Sequence, residues 1–124
     1  MMKAAKKLCL ATLLTLGFAA PVLAECVLPK QPSAPPSGAK ATQEEMVAAM
    51  RASRQFDADV KTYQACLNTE TESMIAALGD KATDSDIARV KAKQDTKAND
   101  AYQAATKVAD AFNVELRAFK AKAK

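Results

Sequence analysis

Between Thr42 and the end of the chain, the sequence contains no proline and only one glycine, Gly79. Glycine and proline are the residues least compatible with a helix interior, so the long stretches without them favour helices. The sequence therefore predicts two helices, over about 43–78 and 84–122.

Local signals at the ends of both segments support these boundaries. Thr42 followed by Glu45 predicts a capping box, in which each side chain accepts a hydrogen bond from the other residue's backbone N–H. Gly79 predicts a helix C-cap, and Thr83 or Asp84 predicts the N-cap of the second helix. The turn between the helices is therefore short.

In the first helix, apolar side chains recur every seven residues, as in a coiled coil. The stripe comprises Met46, Ala49, Ser53, Phe56, Val60, Tyr63, Leu67, Glu70, Met74 and Ala77. Only Ser53 and Glu70 interrupt it. Asn68 and Thr69 mark its weakest point, so a break there, giving a three-helix bundle, is the alternative to one continuous helix.

The second helix carries a thinner, more alanine-rich stripe. Its members are Ile87, Val90, Ala98, Ala101, Tyr102, Ala105, Val108, Phe112, Leu116 and Phe119. Two arms of about 55 Å joined by a tight turn predict an antiparallel helical hairpin. Laid antiparallel about residue 81, the hairpin places Phe56 opposite Ala105 and Ala49 opposite Phe112, which are large against small pairs.

Residues 1–24 have the pattern of a secretory signal peptide. A basic start precedes an apolar core, Leu8–Ala20, and Val22 and Ala24 match a cleavage site of small residues. Glu25 precedes Cys26, whereas a lipoprotein signal requires a small residue before the cysteine. We therefore expect an exported protein that begins at Glu25, without a lipid anchor, in the periplasm or outside the cell.

The net charge of the exported part argues against two classes of partner. Three of the 18 basic residues belong to the signal peptide, which leaves 15 against 14 acidic residues. Nucleic acids and acidic membrane surfaces select for a strongly basic field, so neither is expected as a partner. The remaining 100 residues suffice for one domain.

The cysteines predict one disulfide. Cys9 leaves with the signal peptide, so Cys26 can pair only with Cys66. An oxidising compartment favours this bridge, which closes a loop of about 40 residues and contributes up to about 4 kcal/mol in the chain-entropy model. A redox role is disfavoured, since the exported chain has no C-x-x-C motif and no histidine to activate a thiolate.

Residues 25–41 read as an extended Pro-rich strap. Four prolines lie within LPKQPSAPPSG, a composition typical of polyproline II structure. The strap is long enough to run back along the first helix from Thr42 to Cys66. We expect the disulfide to hold Val27, Leu28 and Pro29 against the thin middle of the hairpin, where they would complete the core.

Chemistry-bearing motifs are scarce. The exported chain has no histidine, and it contains no phosphate loop, nucleophile elbow or metal-spaced cysteine cluster. Its carboxylates come in pairs two residues apart, which point to different faces of a helix and do not converge. The sequence therefore predicts no catalytic site, no metal site and no cofactor.

Three side chains in the stripes leave alternatives open. Glu70 either faces water where the stripe frays, which is favoured, or is buried and paired with Lys91 or Lys93. Tyr63 and Tyr102 are expected in the core rather than as a platform for a ligand.

Four segments carry a resemblance to a family. They are Cys26 with its Pro-rich run, SGAKATQEEM, VKTYQACLNTE around Cys66, and FNVELRAFK. With these, the chain resembles a loose set of small exported proteobacterial helical proteins of unknown function. The resemblance implies a helical fold, an envelope location and the Cys26–Cys66 pair, but no activity.

The C-terminus offers a second likeness. A helical envelope protein ending in lysine, here Lys124, looks like the murein lipoproteins, whose terminal lysine is joined to peptidoglycan. This chain has no lipidated cysteine at its other end. Lysines at a helix C-terminus also complement the helix dipole, which is the simpler interpretation.

These observations favour a non-enzymatic periplasmic interaction or scaffold protein. The alternatives are a cell-wall-associated tether acting through Lys124 and a small-ligand carrier with a pocket near Tyr63 and Tyr102. A two-helix hairpin with an alanine-rich interface buries little apolar surface. We therefore expect it to dimerise into a four-helix arrangement or to dock on an envelope partner.

Overall fold

The computed structural model describes residues 25–122 and 124, and this part of the chain is all-α. Helix α1 spans Gln43–Leu78 (36 residues), and helix α2 spans Asp84–Lys122 (39 residues). The two helices pack against each other as a hairpin. Both helices have the predicted boundaries. The predicted signal peptide, 1–24, lies outside the described residues.

Both helices begin at the predicted caps. The backbone N–H of Glu45 donates to Thr42 Oγ1 (3.2 Å), and the backbone N–H of Thr42 donates to Glu45 Oε2 (2.7 Å). In α2, the backbone N–H of Asp86 donates to Thr83 Oγ1 (3.2 Å), so Thr83 rather than Asp84 is the cap. Each hydroxyl satisfies one of the N–H groups that lack a partner in the first turn of a helix.

Gly79 ends α1 in a backbone conformation that only glycine adopts readily. Its φ is 73° and its ψ is −171°, and its N–H donates to the carbonyl of Ala76 (3.2 Å). Side chains with a Cβ are strained in this region. The short turn between the helices therefore depends on glycine at this position.

Replacing Gly79 by alanine is expected to lower the free energy of unfolding by about 1–3 kcal/mol. The added Cβ would meet no atom within 4 Å, so backbone strain is the cause and not a clash. Urea unfolding followed by circular dichroism measures the effect, with Asp80→Ala in the same turn as the control. Equal midpoints for the two variants would contradict the prediction.

Helix α1 passes through Asn68 and Thr69 without interruption, so the three-helix alternative is wrong. The hydroxyls of Thr69 and Thr71 donate back to the carbonyls four residues earlier, Ala65 (3.4 Å) and Leu67 (2.6 Å). Leu67 is only 1% exposed. Tertiary packing of this leucine outweighs the weak helix propensity of its neighbours.

The two helices have the predicted register. Gln64 Nε2 donates to the carbonyl of Ala98 (3.2 Å), which places these residues opposite each other about residue 81. The main core cluster lies in the middle of the hairpin and comprises Phe56, Val60, Tyr63, Leu67, Ala101 and Ala105. Cys26 packs against this cluster from the strap.

The strap runs back along the hairpin and is joined to it by the disulfide. Cys26 and Cys66 are bonded, with their Cα atoms 5.9 Å apart. Pro32–Pro36 lies beside Ala49 of α1 and Phe112 of α2, so the strap covers the seam between the two helices. It forms a third layer over the middle and the open end of the hairpin.

Exposure along the strap repeats every three residues. Cys26, Pro29, Pro32 and Pro35 are half-buried, whereas the two residues after each of the first three are exposed. Three residues per turn is the period of a polyproline II helix, so every third side chain faces the hairpin.

This period corrects the prediction for the start of the strap. Val27 is 84% exposed and Leu28 is 59% exposed, so neither completes the core. Because the disulfide turns Cys26 inward, the same period turns Pro29 inward and both apolar residues outward.

The other end of the strap is held by Gly38, which is buried against the last turns of α2. Its N–H donates to Glu115 Oε2 (2.6 Å), and a Cβ at this position would lie 1.8 Å from the carbonyl oxygen of Glu115. No side chain larger than hydrogen fits such an approach. Three residues after Gly38, the carbonyl of Ala41 accepts a hydrogen bond from Lys122 Nζ. The start of α1 is thereby tied to the end of α2.

Candidate interaction surface

A groove of about 410 Å³ lies between the start of the strap and α2. We call it the central groove. It is lined by Leu28, Pro29, Gln31, Phe56, Tyr63, Lys97, Asp100, Ala101 and Ala104. The buried rings of Phe56 and Tyr63, 3% and 8% exposed, contribute its aromatic side. Ala101 and Ala104 are too small to fill the space beside them, which is why the groove is open.

A second groove of about 280 Å³ lies on the other side of Pro29, against α1. Val27 and Tyr63 both line it, and Leu28 lines the central groove. The disulfide holds this part of the strap next to both grooves. Two exposed apolar side chains and two grooves therefore form one surface, which we call the strap-start surface.

The backbone of the strap is free to pair along this surface. In the described part of the chain, no hydrogen bond joins residues 25–36 to either helix; the first such bond is made by Gly38. The carbonyl groups of this segment and the N–H groups of its non-proline residues can hydrogen-bond to another extended segment alongside it.

The two tyrosines differ in position. Tyr63 lies in the core, as predicted, but Tyr102 is 60% exposed, so its prediction as a core residue is wrong. Ala101 and Ala105 point to α1, and a helical residue next to Ala101 is turned away by 100°. Tyr102 lines neither groove of the strap-start surface.

Glu70 has a partner that the sequence did not indicate. Gln94 Nε2 donates to Glu70 Oε2 (2.6 Å). Glu70 is half-buried within the continuous helix, so the expectation of a frayed stripe facing water is wrong, and the described residues contain no ion pair of Glu70 with Lys91 or Lys93. An amide donor satisfies the carboxylate without the cost of desolvating a second charge.

The sequence pattern did not indicate that Gln94 pairs with Glu70, because a single glutamine among lysines is typical of a helix surface. It is 3% exposed and is the one buried polar side chain of the described core. Its Nε2 also contacts Met74 Sδ (3.6 Å). Its position opposite Leu67 in the hairpin register was the only available signal.

The described residues contain no group of three histidine, cysteine or acidic side chains placed to hold a metal ion. The ion pairs found there, Lys61–Asp57 (2.7 Å) and Arg89–Asp86 (3.3 Å), lie on the helix surface. Neither described helix is long and apolar enough to cross a membrane.

At the C-terminus, two lysines differ in their surroundings. Lys122 Nζ lies 4.7 Å from the ring centroid of Phe119, in addition to its bond to the strap. Lys124 is exposed. The predicted tether residue is thus accessible, whereas Lys122 is part of the fold.

The first turn of α2 lowers the pKa of one carboxyl group, that of Asp86. The Thr83 hydroxyl donates to Asp86 Oδ2 (2.7 Å) and the Thr83 N–H donates to the same oxygen (3.1 Å), and these bonds hold the pKa of Asp86 below its ordinary value. Arg89 lowers the pKa further by its charge. The ionised form is therefore favoured in the folded protein.

Because the pKa of Asp86 is lower in the folded than in the unfolded chain, its ionised form stabilises the fold at pH values above 3.8. That contribution is lost as the pH falls through the folded-state pKa. We expect Asp86→Asn to lower the melting temperature at about pH 7 and to have little effect near about pH 2. Melting curves at both pH values measure this, with Asp84→Asn in the same turn as the control. A difference that persists unchanged at low pH would contradict the assignment.

The fold and the surface together define a class of protein: a helical hairpin whose seam is covered by a disulfide-linked polyproline strap. The chain matches no protein-family model, and no curated protein or solved structure is significantly similar to it.

Proposed function

We propose that this protein is a non-enzymatic interaction or scaffold protein of the periplasm, and that it binds a partner protein at the strap-start surface. The observation that supports this proposal is the outward position of Val27 and Leu28, whose exposed fractions are 84% and 59%. The disulfide holds the backbone that carries these two side chains. Apolar side chains kept exposed by a rigid frame are typical of binding surfaces.

The chemistry of the surface indicates the kind of partner. The strap offers unpaired extended backbone, and the central groove offers an aromatic and apolar lining with Lys97 and Asp100 among the residues that line it. An extended protein segment satisfies both, because it can pair with the strap backbone and place an apolar side chain into the groove. The lining contains no pairing of a nucleophile with a base, which supports a binding role.

The periplasmic location in this proposal rests on two features. The disulfide is a bond that persists in oxidising compartments, and the predicted signal peptide would deliver the chain there. Fractionation of cells expressing the full chain, followed by mass determination of the purified protein, tests both. Recovery from the cytosol with residues 1–24 intact would overturn this part of the proposal.

Site-specific photo-crosslinking tests the surface. A photoreactive residue at position 28 should crosslink one protein in living cells, and one at position 114 on α2 should not, although Val114 is 52% exposed. The double variant Val27→Ser/Leu28→Ser should lose the same partner in co-purification, and Val114→Ser should keep it. Equal crosslinking at both positions would refute the proposal that the strap-start surface binds the partner. Co-purification of the partner with the double variant would refute it as well.

The central groove favours a small-ligand carrier as a second candidate. Its volume of about 410 Å³ is sufficient for a small apolar molecule. Native mass spectrometry of the protein purified from the periplasm separates the two functions. A stoichiometric small molecule without a protein partner would replace the interaction proposal by the carrier.

The accessible Lys124 supports a tether as the remaining alternative. Covalent attachment to the cell wall predicts that muramidase releases the protein with a muropeptide on Lys124. A protein that fractionates free of the wall without digestion, and whose C-terminal peptide has the unmodified mass, excludes the tether.

A further inference from the structure

The hairpin tip, residues 70–93, lies beyond the end of the strap and contains no fully buried residue. Its large apolar side chains are Met74, Ile75, Leu78, Ile87 and Val90. Leu78 is 39% exposed, and the other four are half-buried. The apolar seam between the helices thus continues past the point where its cover ends.

The contrast with the middle of the hairpin shows what the tip lacks. Val60 and Leu67 are 2% and 1% exposed where the strap lies across the seam. Two helices side by side leave their seam open to water on both sides, and a third element is needed to bury it. The strap supplies that element only as far as Cys66.

Charge is distributed unevenly between the two arms of the tip. Over residues 69–75, α1 carries Glu70 and Glu72 and no lysine or arginine. The facing stretch of α2, 87–93, carries Arg89, Lys91 and Lys93 and no acidic residue, whereas the α2 acids of the tip, Asp84 and Asp86, lie nearer the turn. Among the described residues, the ion pairs of the tip are confined to Arg89 with Asp86, so Glu72, Lys91 and Lys93 have no ionic partner.

We propose that the hairpin tip is a self-association surface covered by a second copy of this chain. A two-fold axis along the hairpin places α1 of each copy beside α2 of the other at the same height. In the hairpin register, residue 72 lies at the height of about residue 90, so Glu72 of one copy faces Lys91 of the other. An isologous interface repeats this contact twice.

The paired tips form a short four-helix bundle. The tip contains residues 70–78 of α1 and 84–93 of α2, which corresponds to about 14 Å of each helix at 1.5 Å per residue. Ten large apolar side chains meet inside, and the acidic and basic stretches complement each other at the rim. Each strap reaches the hairpin only as far as Cys66, so neither strap occupies the seam of the tip. This surface is distinct from the strap-start surface.

Sedimentation velocity over a range of concentrations tests the proposal on protein purified from the periplasm of cells expressing the full chain. We expect a reversible dimer. Leu78→Asp should raise the dissociation constant by about tenfold or more, because it places an unpaired charge inside the bundle. Val114→Asp, a similar change far from the tip, should leave the constant unchanged. A monomer at all concentrations, or equal weakening by both variants, would overturn the proposal.

Charge reversal tests the pairing without disturbing the apolar side chains. Glu72→Lys and Lys91→Glu should each weaken the dimer, and the two changes combined should restore it, since the opposite charges again face each other. Added salt should weaken the original dimer. Both residues are exposed, so circular dichroism should show the same fold for each variant. Failure of the combined variant to recover would refute the arrangement.

Discussion

Replacing Cys26 and Cys66 together by serine is expected to lower the free energy of unfolding by up to about 4 kcal/mol. The bridge joins residues 40 apart in sequence, so its loss restores much conformational freedom to the unfolded chain. Urea unfolding of the original protein and the double variant measures the loss. Adding a reductant should destabilise only the original protein, and a reductant effect on the variant would contradict the assignment.

The same variant should release the start of the strap while the hairpin remains. The far end of the strap keeps its contacts between Gly38 and Glu115, whereas residues 25–36 have no hydrogen bond to the helices in the described chain. Tyr63, now 8% exposed, should become accessible to a fluorescence quencher. Tyr102→Phe in both proteins removes the signal of the exposed tyrosine. Unchanged quenching would show that the proline contacts hold the strap without the bridge.

Leu67→Ala is expected to cost about 2–5 kcal/mol, because Leu67 is the largest fully buried side chain of the described core. The neighbouring disulfide limits how far the strap can move to fill the cavity. Leu28→Ala makes the same chemical change on a side chain that is 59% exposed, and it should cost well under half as much. Urea unfolding monitored by helix content measures both. Similar losses would mean that Leu67 is not an anchor of the core.

Local signals were sufficient to predict the helices. The capping box of Thr42 with Glu45, the conformational freedom of Gly79 and the hydroxyl of Thr83 all act within a few residues of their own position. The heptad stripe predicted the register of the hairpin, because the apolar residues of α1 and those of α2 must lie opposite each other when the two helices pack. With one cysteine assigned to the signal peptide, the disulfide followed from the remaining two.

Propensity was misleading where packing opposed it. Asn68 and Thr69 suggested a break, but the burial of Leu67 holds the helix through them. Tyr102 was expected in the core but is exposed, and Gln94, for which no burial was predicted, is buried against Glu70. Both outcomes depend on which α2 residue faces the narrow seam between the helices. A stripe made mostly of alanines does not indicate which of two adjacent residues faces that seam.

The sequence by itself determined the two helices, their caps, their antiparallel register and the one disulfide, since each depends on neighbours in sequence or on a strict repeat. Only the tertiary structure decided how the strap is rotated about its own axis, and therefore that Val27 and Leu28 face outward. It also decided that the backbone at Gly38 reaches that of Glu115. These features arise from a third layer packing on two others, and the positions they join lie up to 77 residues apart in the chain.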